Sequence, residues 1–298
     1  VIVSMPINLS ILIPTYNDVC TDLVRALHAQ AEAISTLQFE IIVGDDGSTD
    51  QSVVEANRQI EQLRGTHYIV RQQNSGRAAI RNFLARQAKY NHLLFIDSDL
   101  TVIRQDFIST YLQQPDDGVV YGGYEVDGRG EDLSHNLRYL NEMSARDSHT
   151  VEKRRQTPYR DFHTGNFLVS RNIFLNHQLD ERFTHYGHED VLWGKQLKAS
   201  AIPILHIDNP LGFCTFEDNS HFVSKTEEGL RTLHAFRSDL QDYSRLLALV
   251  NRLDSIGISS LVHTAFKPFR RLLRRNLCST HPSLLLFRLY QLGYYLSL

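Results

Sequence analysis

Residues 39–54 read FEIIVGDDGSTDQSVV, and this stretch joins an apolar run, an acidic turn and the start of a helix. The run Phe39–Val43 is rich in β-branched and aromatic residues, which is typical of a buried strand. The side-chain oxygens of Ser48–Asp50 precede Val53 and can accept hydrogen bonds from the first free amides of a helix. The stretch therefore predicts a strand that is followed at once by a helix.

The same order of strand and helix recurs on both sides of this stretch. The other apolar runs that predict strands are Leu9–Ile13, His67–Val70 and Leu93–Ile96. Two segments between the runs, Asp22–Ile34 and Ser75–Tyr90, carry apolar residues at helical spacing. The alternation predicts an α/β fold, an open, twisted and mostly parallel sheet with helices on both faces.

Composition excludes several classes of protein. The chain has 298 residues, of which 42% are hydrophobic and 22% charged, and its formal net charge is −3. A disordered chain has fewer apolar residues, and a protein that coats nucleic acid is strongly basic, so we expect a globular protein without a nucleic-acid partner. The three cysteines are scattered, which predicts neither a disulfide framework nor a thiolate zinc site. The first residues also lack the pattern of a cleaved secretion signal, and we therefore expect a cytoplasmic location.

Ligands of open α/β sheets bind beyond the carboxyl ends of the strands. The segments that follow the four predicted strands are Pro14–Asp18, Asp45–Ser48, Asn74–Gly76 and Asp97–Asp99. Neither a GxGxxG nor a GxxxxGK[ST] phosphate loop occurs among them. In extended backbone Asp97 and Asp99 point the same way, so both can bind a divalent cation that neutralises phosphate. The alternative is that these acids only end a strand in a turn.

Five motifs, taken in order, resemble those of the family 2 glycosyltransferases of GT-A fold. They are Ile13–Asn17, Val43–Asp50, Asn74–Gly76 with Ile80–Asn82, Phe95–Asp99 and Phe183–Gly194. The last motif is similar to that of the chondroitin-polymerase-like and galactosyltransferase-like branches. The resemblance covers roughly residues 7–235, and it implies transfer of a sugar from a nucleoside-diphosphate sugar, with a uridine-linked donor expected.

The resemblance also implies a donor site. Its residues would be Pro14, Thr15, Tyr16, Asp45, Asp46, Gly76, Arg81, Asp97 and Ser98. Pro14, Thr15 and Tyr16 would line the nucleoside pocket, and Asp45 or Asp46 would accept a hydrogen bond from the base. Arg81 would approach the diphosphate or the base, and Asp97 the ribose. Asp97 and Asp99 would bind Mn²⁺ or Mg²⁺, which balances the charge that develops on the leaving diphosphate.

The acceptor side is predicted from the segment around Gly187. This glycine allows a tight turn, and the following helix places Glu189 and Asp190 at its N-terminus, where the helix dipole favours ionised acids. By resemblance Asp190 is the general base and Glu189 holds acceptor hydroxyls. A separate base without an enzyme nucleophile implies a single displacement with inversion. The alternative is a helix whose first turn merely prefers acids.

Four further residues are predicted to contact the acceptor. They are Gly165, Asn166, His188 and Trp193. An aromatic face suits the apolar side of a sugar ring, but a single tryptophan on a helix also suits core packing. The stretch that contains Gly165 and Asn166 also suits a simple turn followed by a strand. Both alternatives stay open in the sequence.

One motif departs from the family pattern. Related sequences often carry NPxxH after the helix that bears the base, with the histidine available to the metal, but here Asn209–Gly212 leads to Phe213. The third protein ligand is therefore open between His206, His221 and coordination by diphosphate and water alone. The polar segment Asn141–Asp161 predicts either a mobile loop that closes over the donor phosphates or a solvated face.

The chain divides, by prediction, into a catalytic domain at 1–235 and a helical region at 236–298. The catalytic domain comprises a nucleotide-binding half, 7–100, and an acceptor half, 101–235. A capping-box pattern at Ser224–Glu227 predicts the start of a long helix.

Within 267–298, a basic run is followed by an apolar tail that is too short to span a bilayer. This pattern suits peripheral contact with the inner face of the cytoplasmic membrane, or else packing on the main domain or on another subunit.

Taken together, the sequence predicts a metal-dependent, inverting glycosyltransferase. Its acceptor would be a glycan or a lipid-linked saccharide in the synthesis of a surface polysaccharide. An inactive scaffold subunit that binds sugar nucleotides is the first alternative, and the replacement of the motif histidine by Phe213 supports it. A nucleotidyltransferase is the second, but such enzymes usually need a glycine-rich and basic triphosphate loop, which the sequence lacks.

Overall fold

The computed structural model describes residues 7–298, which form ten strands and thirteen α-helices. The strands are β1 (Ile7–Thr15), β2 (Leu37–Asp45), β3 (Thr66–Val70), β4 (His92–Ile96), β5 (Leu100–Thr101), β6 (Val119–Tyr121), β7 (Tyr124–Val126), β8 (Asn166–Ser170), β9 (Ile204–His206) and β10 (Leu211–Phe213). The helices are α1 (Thr21–Glu32), α2 (Gln51–Arg58), α3 (Arg77–Gln87), α4 (Phe107–Leu112), α5 (Leu137–Ala145), α6 (Val151–Arg154), α7 (Arg171–Asn176), α8 (Glu189–Ala199), α9 (Asn219–Ala235), α10 (Arg237–Leu240), α11 (Arg245–Ser255), α12 (Ser259–Leu277) and α13 (Leu284–Tyr295).

Seven strands form the central sheet in the order β3-β2-β1-β4-β8-β6-β9. Strand β1 pairs in parallel with both β2 and β4, whereas β8 runs antiparallel to β4 and β6. A small second sheet has the order β5-β10-β7. The predicted α/β class with a mostly parallel sheet is confirmed, and β8 supplies the antiparallel exception.

Strand β1 is apolar throughout its middle because helices cover both faces of the sheet there. Leu9, Ile11 and Ile13 point to one face, where they pack in a cluster with residues of α1 and α4. Leu12 points to the other face and packs with Phe95 and residues of α3. Apart from Ser10, whose buried hydroxyl donates to Glu40 of β2, the two filled faces leave polar groups at the strand ends, which is where the site forms.

Of the two helix starts predicted from capping residues, one is confirmed and the other is wrong. Asp50 caps α2 as predicted, and its carboxylate accepts the backbone N–H of Ser52 at 2.9 Å. The predicted start at Ser224–Glu227 is wrong, because α9 already begins at Asn219. Asp218 caps α9 by accepting two N–H groups of its first turn. Ser224 lies inside the helix, where its hydroxyl donates to a backbone carbonyl one turn earlier.

The C-terminal helices α12 and α13 pack on α9, α13 also packs on α5, and α11 packs on α12. Their apolar side chains join Leu137 of α5 and Leu192 of α8 in one cluster. The helical region therefore shares a core with the rest of the chain. This agrees with the alternative that residues 267–298 pack on the main domain. The domain boundaries stay a prediction, although residue 235 coincides with the end of α9. Between residues 7 and 298, no helix combines the length and apolar character needed to cross a membrane.

Candidate active site

A cleft of about 720 Å³ lies at the carboxyl ends of β1, β2 and β4. The predicted donor-site residues that line it are Pro14, Thr15, Tyr16, Asp46, Gly76, Arg81, Asp97, Ser98 and Asp99. The topology explains the convergence, because parallel strands bring the segments that follow them to one edge of the sheet. The structure thus brings together every predicted donor residue except Asp45.

Asp45 does not line the cleft, and its predicted contact with the base is wrong. The side chain is wholly buried. Its carboxylate accepts the backbone N–H of Ser48 at 2.7 Å and the hydroxyl of Tyr68. These bonds use the carboxylate to hold the turn after β2, so it has no free face for a nucleotide. Of the two neighbouring acids, only Asp46 is open to the cleft.

Asp46 joins the end of β2 to the loop before α3. Its carboxylate accepts a bond from Arg71 and from the backbone N–H groups of Ser75 and Gly76, all at 2.9 Å. Burial raises the pKa of Asp46, and these donors partly oppose the rise. Gly76 has a φ of +92°, a conformation that side chains with a Cβ rarely adopt, so this connection depends on glycine.

The acidic centre of the cleft lies at the end of β4. Arg81 is almost wholly buried and donates a hydrogen bond from its Nη2 to Asp97. Burial and the neighbouring charge of Asp97 raise the pKa of Asp99 to about 6, and Arg77 opposes the rise. Two carboxylates therefore lie close together with incomplete compensation of their negative charge.

Arg77, at the start of α3, was not predicted as a site residue. It lines the cleft beside Asp97 and Asp99. Burial alone would lower the pKa of Arg77, but the charges of Asp97, Glu189 and Asp99 hold it above its ordinary value. Its position directly after Gly76, at a strand end, is the signal that could have identified it. Arg77 adds a permanent positive charge to the region where a diphosphate would lie.

The donor set at the end of β4 suits a small hard cation. Within the described residues no group of three or more histidine, cysteine, aspartate or glutamate side chains could hold a metal ion. Asp97 and Asp99 would therefore supply carboxylate oxygens, and phosphate and water would fill the other coordination positions of the ion. That division is typical of Mg²⁺ and Mn²⁺ sites that bind nucleotides.

The two histidines considered for a third ligand lie in different places. His206 is buried away from the cleft, where its ring bonds to the carbonyl of Pro158 and to Arg154. Burial lowers its pKa to about 4, and the prediction that His206 binds the metal is contradicted by these bonds. His221, in the first turn of α9, lines the cleft. Phe213 is buried, and its ring packs against that of Tyr124.

Asp190 lies in the first turn of α8, as predicted. Gly187 has a φ of +99° and His188 a φ of 70°, and these two left-handed residues turn the chain into the helix. One carboxylate oxygen of Asp190 accepts a bond from His163 Nδ1 at 2.9 Å. The other oxygen accepts the N–H of Val191 at 2.7 Å. Both oxygens are thus held by donors that favour the ionised carboxylate.

The pKa values of the two acids at the start of α8 move in opposite directions. Burial alone would raise the pKa of Asp190, but His163, His188 and the N–H of Val191 together lower it. Burial and the charge of Asp190 raise the pKa of Glu189. These two effects outweigh the helix dipole, which was expected to favour the ionised carboxylate. Glu189 is buried, with Arg77 and Arg81 as the opposing charges. The arrangement leaves Asp190 as the acid that ionises more readily, whereas Glu189 keeps its proton to a higher pH.

His163 was not predicted to contact the base. Burial alone would lower its pKa, but the bond to Asp190 raises it. Its ring stacks on His149 with centroids 6.0 Å apart and lies between Tyr121 and Tyr124. The contact joins the turn before β8 to α8, a separation of 27 residues, and no local pattern in the sequence indicates it.

The prediction that Asn166 contacts the acceptor is wrong. Its side chain is buried, and its amide donates to the carbonyls of Gly123 and Asn209. Gly165 lies beside the donor site, because its carbonyl accepts the backbone N–H of Asp97 at 2.9 Å. Asn166 therefore has a structural role, and the contact of Gly165 with an acceptor stays a prediction.

The segment 141–161 is not an extended loop over the cleft. It contains the end of α5, a 3₁₀ turn and α6. Arg154 is buried, donates to the carbonyls of Gly122 and Ile207, and lies over the ring of Tyr121. Arg155 donates to the carbonyl of His206. Arg154 is therefore used inside the fold, whereas Arg155 is exposed and is held by its bond to this carbonyl.

Trp193 has no exposed surface, so the prediction that it contacts an acceptor is also wrong. Its indole packs against Phe162, Phe167 and Phe174, and its N–H donates to the carbonyl of His177. We expect Trp193→Ala to lower the free energy of unfolding by about 3–5 kcal/mol, because it leaves a large cavity.

Urea unfolding followed by circular dichroism measures the effect, with the milder Trp193→Phe as the matched variant. A Trp193→Ala protein of unchanged stability with a raised acceptor KM would contradict the structural role.

Comparison with known proteins identifies the family. The model of glycosyl transferase family 2 matches residues 10–177, which is more than half of the chain. The chain belongs to this family. A chondroitin synthase of Escherichia coli is 29% identical over 222 residues, covering 63% of this chain and 32% of the relative. One from Pasteurella multocida is 27% identical over 252 residues, covering 71% of this chain and 25% of the relative. The predicted chondroitin-polymerase-like branch is confirmed, and the chain spans about a third or less of these relatives.

Solved structures of glycosyltransferases share the fold. TarS of S. aureus, residues 1–349 in complex with UDP, matches with a TM-score of 0.51 and 17% identity, covering 98% of this chain and 90% of that chain. A mannosyltransferase from Pyrobaculum calidifontis, in complex with GDP-Man and Mn²⁺, matches with a TM-score of 0.53 and 13% identity, covering 97% and 84%. The GT-A fold is therefore shown for this chain.

Proposed function

We propose that this family 2 glycosyltransferase moves a sugar from a UDP-sugar to a saccharide acceptor with inversion at the anomeric carbon. The observation that carries the proposal is the convergence of Tyr16, Arg77, Asp97 and Asp99 on one cleft. The cleft combines an aromatic wall, a fixed cation and two carboxylates. Such a combination suits a nucleoside joined to a metal-bound diphosphate. The similarity to two chondroitin synthases supports a polysaccharide product.

In the proposed binding mode, Pro14 and Tyr16 flank the nucleoside base, and Asp46 accepts a hydrogen bond from it. Arg77 faces the diphosphate. Tyr186 completes this side of the cleft, because its ring lies between Arg77 at 5.1 Å and Lys225 at 4.8 Å. Lys225 comes from α9, far along the chain, and was not predicted as a site residue. The uridine preference is supported by the similarity in fold to a structure that binds UDP.

The metal would be held by Asp97 and Asp99. A bound Mn²⁺ or Mg²⁺ supplies Lewis-acid stabilisation of the negative charge on the diphosphate. Arg81 holds Asp97 through a buried hydrogen bond, which fixes the direction of that carboxylate. His221 lines the same cleft but, within the described residues, forms no three-ligand group with Asp97 and Asp99, so diphosphate and water would complete the coordination.

Asp190 is proposed to take the proton from the acceptor hydroxyl. It is ionised at neutral pH because its donors lower its pKa. We assign Glu189 to holding an acceptor hydroxyl, which a carboxyl whose pKa is raised can do as a hydrogen-bond donor or acceptor. His163 acts through Asp190 as a positioning residue, because it fixes one carboxylate oxygen and stabilises its charge.

We expect His163→Gln to move the acidic limb of the kcat/KM profile to higher pH. His163 lowers the pKa of Asp190, so its loss raises that pKa, and the base then becomes protonated at a higher pH. The loss of activity should therefore grow as the pH falls.

The pH profile is compared with that of His149→Gln, since His149 stacks on His163 without bonding to Asp190. An equal loss at every pH would show that His163 is only structural.

The C-terminal helices support a further part of the proposal, which is peripheral contact with an anionic membrane. Leu261, Phe269 and Leu272 of α12 are 69%, 56% and 63% exposed, and Leu285 of α13 is 69% exposed. Exposed lysine and arginine residues of 267–275 lie on the same helix. Exposed apolar and basic side chains together suit the inner face of the cytoplasmic membrane, where anionic lipids attract them.

A turnover assay tests the proposed function. The protein is incubated with Mn²⁺, a panel of UDP-sugars and chondroitin-type oligosaccharides, and the release of UDP is followed. NMR of the product then gives the anomeric configuration. We expect metal-dependent UDP release and an inverted linkage. Retention would contradict the single displacement, and UDP binding without turnover of any donor would favour the inactive scaffold instead.

A further inference from the structure

A second cavity adjoins the donor cleft and has no role in the account above. It measures about 740 Å³ and lies between α9, α11 and α13. We call it the helical groove. Tyr186 and Lys225 line both the cleft and the groove. His188 also lines the groove, and it precedes Asp190 by two residues in the turn that starts α8.

The walls of the helical groove are mostly apolar. Each of the three helices contributes leucine or phenylalanine side chains, among them Leu230 of α9, Leu246 and Leu249 of α11, and Phe287 and Leu292 of α13. Leu249 remains 43% exposed. An exposed leucine in a cavity of this size costs free energy in water, and an apolar ligand would remove that cost.

The charged residues of the groove are all cations. Arg138, Lys225, Arg245 and Arg288 line it, and no aspartate or glutamate does so among the described residues. Arg138 and Lys225 pair with Glu142 and Glu217, each at 3.2 Å.

Arg245 and Arg288 form no ion pair with a carboxylate of residues 7–298, and both are exposed. Burial lowers the pKa of Arg288, and the charge of Glu142 opposes that effect. The groove therefore offers two uncompensated arginines at the rim of an apolar cavity.

We propose that the helical groove binds the lipid part of the acceptor, an apolar chain joined through phosphate to the saccharide. The chain packs against the leucine and phenylalanine side chains, and the phosphate lies by Arg245 and Arg288. The saccharide then lies on the His188 side, toward Asp190. This inference rests on the proposed transferase function, because it names the class of acceptor that the same site uses.

The charge pattern decides between possible occupants. A purely apolar peptide or a neutral lipid leaves the arginines without partners, whereas a free phosphate leaves the apolar walls in water. A lipid phosphate gives the arginines an anionic partner and covers the apolar walls with its chain. The groove also adjoins the exposed face of α13, the helix that carries Leu285, so a lipid held at a membrane surface can reach it.

Binding of farnesyl diphosphate to the full chain tests the proposal. Farnesol and inorganic pyrophosphate serve as probes that lack the anion and the chain, respectively. All titrations contain saturating UDP and Mn²⁺, so that the donor cleft is filled. We expect farnesyl diphosphate to bind at least tenfold more tightly than either partial probe.

Matched variants locate the binding. Leu249→Asp and the double variant Arg245→Glu with Arg288→Glu should each weaken farnesyl diphosphate binding at least tenfold. Ile256→Asp and Arg252→Glu are the controls, because both residues are exposed, Arg252 within α11 and Ile256 directly after it, and neither lines the groove. Both controls should bind farnesyl diphosphate as the wild type does, and all variants should bind UDP unchanged.

Three outcomes would overturn the proposal. The first is a farnesyl diphosphate affinity no higher than that of inorganic pyrophosphate. The second is an equal loss of affinity in the controls and the groove variants. The third is a second copy of the chain in the groove, as judged by sedimentation. UDP binding distinguishes a failure of the proposed transferase function from a failure of the groove proposal. Its loss with intact farnesyl diphosphate binding contradicts the transferase function alone, whereas turnover of lipid-free glycans without farnesyl diphosphate binding contradicts the groove alone.

Discussion

Replacing Asp190 by asparagine is expected to lower turnover by about 10²–10⁴-fold, the usual contribution of a general base. The amide cannot take the proton of the acceptor hydroxyl, yet it keeps the shape of the carboxylate. UDP release in the presence of acceptor measures the change. UDP affinity should stay the same, because Asp190 does not line the nucleotide cleft.

Glu189→Gln is the matched comparison for the asparagine variant. The two acids are adjacent in α8, but Glu189 has a raised pKa and is expected to hold the acceptor rather than to take its proton. Its substitution should raise the acceptor KM more than it lowers kcat. If Glu189→Gln abolished turnover while Asp190→Asn stayed active, Glu189 would be the general base and Asp190 the residue that holds the acceptor.

The second large effect is expected for Asp99→Asn. Asp99 and Asp97 supply the carboxylates of the proposed metal site, and burial together with the charge of Asp97 raises the pKa of Asp99. Loss of one ligand should lower kcat/KM by about a hundredfold or more, since Lewis-acid stabilisation of a leaving group contributes several kcal/mol. The increase in UDP affinity that Mn²⁺ gives the wild type should disappear.

Asp116→Asn is the control, because Asp116 is exposed and lies outside the cleft. It should behave as the wild type in both assays. An Asp99→Asn protein that retains the full response of UDP affinity to Mn²⁺ would place the metal elsewhere.

The donor half of the site was predictable because it is encoded locally. Each of its motifs follows a strand, and parallel pairing alone brings Pro14, Asp46 and Asp97 to one edge. The choice between Asp45 and Asp46 was not predictable. It depends on the hydroxyl of Tyr68, which belongs to the neighbouring strand and takes the Asp45 carboxylate into the interior.

The errors on the acceptor side have the same physical origin. Trp193 and Asn166 are polar or amphipathic residues whose partners lie far along the chain. Their sequence contexts suited exposed sites, but burial is decided by packing between distant elements. Lys225 was missed for the converse reason, since tertiary structure alone brings it to the ring of Tyr186, beside Arg77.

Calorimetric titration of the wild-type protein with UDP, with and without Mn²⁺, tests the central claim most directly. The account predicts that UDP binds and that Mn²⁺ strengthens the binding, because Asp97 and Asp99 hold the ion against the diphosphate. An absence of UDP binding under both conditions would contradict the proposed donor site and leave only the family and the fold.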